Sequence, residues 1–194
     1  MGKRRNDYDV ADSVKTTDPD AVAAEVRRIY VDWYEKPGAD SLIQPFENFA
    51  ALYRGEHPDY HACDTGYHDM QHVMDVTLAM TRLLDGYQRA SGDRLYERLF
   101  RLGIILALYH DVGYIRSRKD TRHKQGAEYT LTHVSRGGLY LRNYLQRIGM
   151  ADLAAIAARL VHYTGFEVPV DKIKLPPDPI FKIIGNLLGT ANIL

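Results

Sequence analysis

The chain has 194 residues, 45% hydrophobic and 26% charged, which is enough apolar material for one domain with its own core and too little length for two comfortable ones. Lys plus Arg and Asp plus Glu number 25 each, so no global field recruits a nucleic-acid polymer or an anionic membrane, and the composition excludes disorder of the whole. The single cysteine, Cys63, excludes an internal disulfide; with no secretion signal and no membrane-length apolar run, a reducing cytoplasm is the expected setting.

Residues 1–18 are polar and mixed in charge, without a sustained apolar period, and predict a mobile lead-in to a helical domain spanning 19–194. Asp18-Pro19 offers a helix start, and Val22, Val26, Ile29 and Trp33 continue one apolar stripe toward Pro37-Gly38. Leu42, Ile43, Phe46, Phe49, Ala50 and Tyr53 predict a second helix over 41–53, ended by Gly55 and Pro58. After Gly66, Val73, Val76, Met80, Leu83 and Leu84 recur at helical spacing, with Gly86 expected to close the segment. From Arg94 to His110 apolar residues surround the axis, as they do in a helix at the middle of a domain. Further helices are expected over 123–148 and 150–163, then a Pro-rich connection through Pro176, Pro177 and Pro179, then an apolar helix over 180–194. No alternating strand pattern competes, so the fold class is all-α, a compact orthogonal array of helices. The apolar run reaches Leu194 without a C-cap, which reads either as a helix cut short or as one that finishes unusually.

Two polar constellations interrupt this apolar pattern. His68 and His72 lie four apart, so on a helix both imidazoles would share a face; that spacing suits one metal ligand beside one acid or base, and equally a solvated pair. His110-Asp111 falls where the most apolar helix runs out at Val112-Gly113. Ionisable groups there are costly unless paired with each other or bound to a cation. Imidazole nitrogen and carboxylate oxygen together suit a divalent cation, which makes water acidic enough for hydrolysis near neutral pH.

Tyr67-His68-Asp69-Met70-Gln71-His72 and Ala107-Leu108-Tyr109-His110-Asp111-Val112-Gly113-Tyr114 together resemble the signature segments of the HD-domain superfamily of metal-dependent phosphohydrolases. The resemblance covers residues 66–194. It implies a helical fold in which His72, His110 and Asp111 bind a divalent metal (Fe, Mn, Mg, Zn, Co or Ni), with His68 and Asp111 as the catalytic pair and His68 protonating the departing alcohol. The family's fourth ligand is an aspartate on a late helix; here the matching Thr190-Ala191-Asn192-Ile193-Leu194 places Asn192 there, so the fourth ligand is either this amide or a residue beyond Leu194.

In two-metal members of the superfamily, positions similar to His123 and His162 carry further ligands, against a plainer reading as surface or hydrogen-bonded histidines. Arg116, Arg118 and Lys124 follow the doublet closely and are candidates to grip a substrate phosphate, although a solvated loop accounts for most such residues. Tyr67, Tyr109 and Tyr114 flank the ligand segments, where they either stack on a base or fill the core. The expected activity is hydrolysis of a phosphate ester, a nucleotide or another small phosphorylated metabolite. The alternatives are a di-iron oxygenase, which needs His123 and His162, and a non-catalytic nucleotide- or metal-binding sensor, which Asn192 would suit.

Overall fold

The computed structural model describes residues 6–194; residues 1–5, the start of the expected lead-in, lie outside the described part. Eight α-helices form among the described residues: α1 (Pro19–Val31), α2 (Lys36–Asp40), α3 (Ile43–Arg54), α4 (Met70–Ser91), α5 (Glu97–Tyr109), α6 (His133–Arg147), α7 (Ala151–Leu160) and α8 (Pro179–Ile193). No strand accompanies them there beyond two isolated bridges, Tyr8 with Lys15 and Tyr60 with Ser117. The fold is a compact all-α bundle.

α5 lies at its centre, and the sequence explains why. Leu102, Ile104, Ile105, Leu106, Ala107, Leu108 and Tyr109 have no exposed surface, so every side of the helix requires a neighbour. α4 and α8 supply two of those neighbours, and α3, α6 and α7 complete the jacket. Each fully buried leucine or isoleucine contributes about 2 kcal/mol from apolar area removed from water. The polar residues at the end of α5 are thereby carried into the interior.

Helix boundaries follow local chemistry, with one exception. Asp18 caps α1 by accepting the Asp20 N–H at 3.1 Å, and Asp178 caps α8 by accepting the Ile180 N–H at 3.0 Å, each ahead of a proline in the first turn. α4 runs on through Gly86, where closure was expected, and stops at Gly92 in the left-handed region (φ 74°). The reason is tertiary: buried Gln88 accepts both the Tyr34 hydroxyl and the Leu95 N–H at 2.8 Å, which holds the last turns and offsets the roughly 1 kcal/mol cost of a mid-helix glycine. The helix expected over 123–148 begins only at His133; residues 126–129 form a separate short 3-10 turn.

The lead-in also departs from expectation. Asp9 is 3% exposed, and its carboxylate accepts the Ser13 and Val14 N–H groups at 2.7 and 2.8 Å and Arg82 of α4 at 2.7 Å. Gln71 donates to the Asn6 carbonyl at 2.6 Å, and Thr16 is fully buried. Residues 6–18 thus form a polar hook fastened to α4. A hydropathy pattern misses it because a carboxylate, not an apolar stripe, organises it.

Candidate metal centre

The centre is assembled from three places. Asp69 is the N-cap of α4 and accepts the His72 N–H at 2.9 Å, which fixes His72 in the first turn. Asp69 is extended, so His68 stands outside the helix; the two imidazoles meet through the cap turn and not by sharing a helical face, as their spacing had suggested. From the second place, the end of α5, come His110, with no exposed surface, and Asp111, with 2%. A 3-10 turn over 112–114 then leads the chain past α6 at close quarters. A Cβ on Gly113 would stand 1.7 Å from the His133 carbonyl oxygen, so no larger residue fits without moving α6. The third place is the far end of α8, which presents Asn192.

Around Asp111 the geometry is tight. His68 Nδ1–H donates to Asp111 Oδ2 at 2.7 Å, while the Nε2 atoms of His110 and His72 stand 3.2 and 3.5 Å from the same oxygen. His110 uses its other ring nitrogen, Nδ1, to donate to the Ala107 carbonyl at 2.7 Å. The Asn192 amide nitrogen donates to the Thr164 carbonyl at 3.2 Å, and the amide interacts with both His72 and His110. Among the buried side-chain atoms left without a hydrogen-bond partner in the described residues are three on these side chains: His72 Nε2, His110 Nε2 and Asn192 Oδ1. Leaving such atoms unpaired costs about 1–3 kcal/mol each. A cation is the species that an imidazole lone pair, an amide oxygen and a carboxylate accept together.

His68, His72 and Asp111 offer ligand atoms that lie within 4.8 Å of one another, a buried cluster able to hold a metal ion. Two candidate sets share His72 and Asp111, one completed by His68, the other by His110 and Asn192. We favour the second, because His68 already spends Nδ1 on Asp111, whereas His110 Nε2 and Asn192 Oδ1 are unspent.

The electrostatics keep His72 and Asp111 in binding-competent states. Burial, reinforced by neighbouring His110, lowers His72 to about 4, so its imidazole is neutral at pH 7. Burial alone would raise the Asp111 carboxyl; the charge and hydrogen bonding of His110, with the His68 hydrogen bond, outweigh it and hold Asp111 far below the usual carboxylate range. Burial disfavours charge on His110 too, yet Asp111 raises it above the ordinary histidine value. Without a cation, the pair therefore shares a proton.

The other predicted site residues are engaged elsewhere. His123 Nδ1 pairs with Asp120 at 2.8 Å and its ring lies against Tyr129 at 4.4 Å, while His162 sits in the 161–164 turn; neither joins the cluster. Arg116 holds Asp64 at 3.3 Å and the His123 carbonyl at 3.2 Å, and Arg118 donates to the Gly55 carbonyl at 3.0 Å. Both arginines tie loops together. Lys124 is exposed, and its backbone N–H donates to Glu128 at 2.8 Å. Of the three tyrosines, Tyr109 is core and gives its hydroxyl to the Pro45 carbonyl, whereas Tyr67 is 72% exposed with its ring 5.0 Å from that of His72.

His133, which no motif in the sequence marks, also stands beside the centre. Buried Tyr114 packs on His68 at 4.3 Å and on His133 at 4.2 Å, a sharply bent column of three rings with the His133 ring 6.1 Å from that of His68. One trace of this was present in the chain: Gly137-Gly138 within a helix is costly, and marks a face where something passes closely. What passes is the 110–113 turn, since a Cβ on Gly137 would stand 3.2 Å from the His110 carbonyl. No family model, curated protein or solved structure matches this chain.

Proposed function

We propose that this chain is a metal-dependent phosphohydrolase acting on a phosphate ester, a nucleotide or another small phosphorylated metabolite. His72, His110, Asp111 and Asn192 would hold one divalent cation, of the class Fe, Mn, Mg, Zn, Co or Ni. The observation that carries this reading is the convergence of three orphaned buried acceptors on one ionised carboxylate. The resemblance of the two His-bearing segments to the HD-domain superfamily supports it.

A bound divalent cation supplies Lewis acidity, polarising a phosphoryl oxygen and lowering the pKa of water. The residues do the rest. Asp111 accepts Nδ1–H from His68, which orients the ring and leaves Nε2 to deliver a proton to the departing oxygen. Tyr114 packs against the His68 ring and His133 against Tyr114, and the buried end of α5 excludes bulk water from the metal-facing atoms. Arg116 and Arg118, tied to other partners, are not the phosphate clamp in this reading.

Elemental analysis of protein purified without added metal, followed by a phosphoester screen with that metal supplied, tests site and reaction class together. Near-stoichiometric metal with turnover of at least one phosphoester is expected; metal-free protein that takes up no divalent cation and turns over none of the esters would overturn the proposal. A di-iron oxygenase reading finds no support in the placement of His123 and His162 outside the cluster.

A further inference from the structure

A second cavity, of about 450 Å³, lies between the 57–60 loop, the 112–117 segment and one face of α6. Its wall carries two guanidinium groups, Arg136 and Arg147, and one carboxylate, Asp59, so its lining is net cationic. The two arginines differ from six others in the chain. Arg27, Arg28, Arg82, Arg89, Arg98 and Arg116 each have a carboxylate within ion-pair distance. Among the described residues, Arg136 and Arg147 have none.

Arg136 is set in place by the turn that follows the metal doublet. Its Nε donates to the Gly113 carbonyl at 2.8 Å, one Nη donates to the Ile115 carbonyl at 3.2 Å, and the guanidinium carbon lies 3.6 Å from the Tyr129 ring centre. The remaining Nη has no acceptor within the described residues. A half-buried guanidinium with its plane fixed, one edge free and no counterion is costly as it stands, and an anion arriving at that edge relieves the cost. Arg147 stands about three helical turns further along the same face and is exposed, where it closes the cavity on its solvent side. Between them lie Asn143, with a donor and an acceptor on one amide, and Tyr140. Tyr60 meets Tyr140 edge to face at 6.1 Å, and His57 meets Tyr60 in the same manner at 5.1 Å, giving an aromatic wall beside the arginines.

We propose that this cavity is a second ligand site, distinct from the metal centre, that takes a small organic phosphate bearing a flat ring, of mononucleotide size. The volume is in the range of small-molecule sites and far exceeds a bare phosphate. Arg136 and Arg147 would receive the phosphate, the Tyr60–Tyr140 wall the ring, and Asn143 its polar edge. The inference does not rest on the hydrolase reading, because no group of the metal centre lines the cavity.

Calorimetric titration of chelator-treated protein with adenosine 5′-monophosphate tests it, with inorganic phosphate and adenosine as separate arms. Saturable binding of the nucleotide is expected, tighter than either arm alone. Arg147→Ala, a change of an exposed side chain, should weaken it roughly tenfold, while Asp111→Ala should leave it unchanged. No nucleotide binding in the millimolar range would overturn the proposal, as would binding lost in Asp111→Ala yet untouched by Arg147→Ala, which would place the nucleotide at the metal centre.

Discussion

His110 Nε2 stands 3.2 Å from Asp111 Oδ2 while His110 Nδ1–H is committed to the Ala107 carbonyl at 2.7 Å. Two neighbours in the chain thus face each other across a gap that one small positive species fills, a proton or a metal ion. Asp111 gathers His68 and His72 around the same oxygen, so its removal undoes the whole assembly. Asp111→Ala is expected to abolish metal uptake and turnover. In metal-free protein it should also cost about 3 kcal/mol, because the buried imidazoles lose their common counter-charge. Denaturant unfolding reads the second effect, and elemental analysis the first.

Asn192 offers a neutral oxygen where a carboxylate would give more charge. Asn192→Asp should act with opposite signs in the two states of the centre. With metal bound, the added charge should tighten affinity roughly ten- to a hundredfold, as measured by competition against a chelator. Without metal, a second carboxylate close to Asp111 should destabilise the fold by about 1 kcal/mol. An unchanged metal affinity would show that residue 192 is not a ligand.

His68 separates the two ligand sets. If His110 and Asn192 complete the site, His68→Gln keeps the metal and lowers kcat by roughly 10²- to 10⁴-fold, the range expected for losing a positioned acid. If His68 is itself a ligand, the same change releases the metal. Metal content of the variant, measured beside its turnover, decides between them; retained metal with undiminished turnover would remove His68 from both roles.

The N-terminal hook supplies a pH prediction. Burial alone would raise the Asp9 carboxyl, but the Val14 and Ser13 N–H groups and Arg82 outweigh it and hold it well below its value in the unfolded chain. The folded state therefore binds fewer protons than the unfolded chain between those two values. The contribution of Asp9 is fully present above the unfolded pKa and is lost as pH falls through the folded one. Amide hydrogen exchange over residues 6–18 should stay slow at neutral pH and quicken in strong acid relative to the intrinsic rate. Asp9→Asn should quicken it already at pH 7, with a loss of about 1–3 kcal/mol of local stability.

Much of the helical frame could be read from hydropathy, because a helix that must bury a stripe advertises it every three to four residues. α3, α5, α7 and α8 lie within a few residues of their expected positions, whereas α1 stops at Val31, short of Pro37-Gly38, which falls inside α2. The failures share a cause. α4 outran Gly86 because Tyr34 and Leu95, distant in sequence, hold Gln88. The hook at 6–18 and the column of His68, Tyr114 and His133 depend on partners that no local pattern announces.

By itself, the sequence determined an all-α chain with its most apolar helix ending in an ionisable doublet, since periodicity and the cost of burying charge are local and one-dimensional properties. The tertiary structure alone decided which polar atoms meet: it turned His68 off the helix, brought Asn192 beside two imidazoles, drew Arg116 and Arg118 into loop contacts and left Arg136 and Arg147 facing a cavity without a counterion. Which acceptor a side chain finds depends on distances between segments far apart in the chain, and those are set only when the apolar faces have packed.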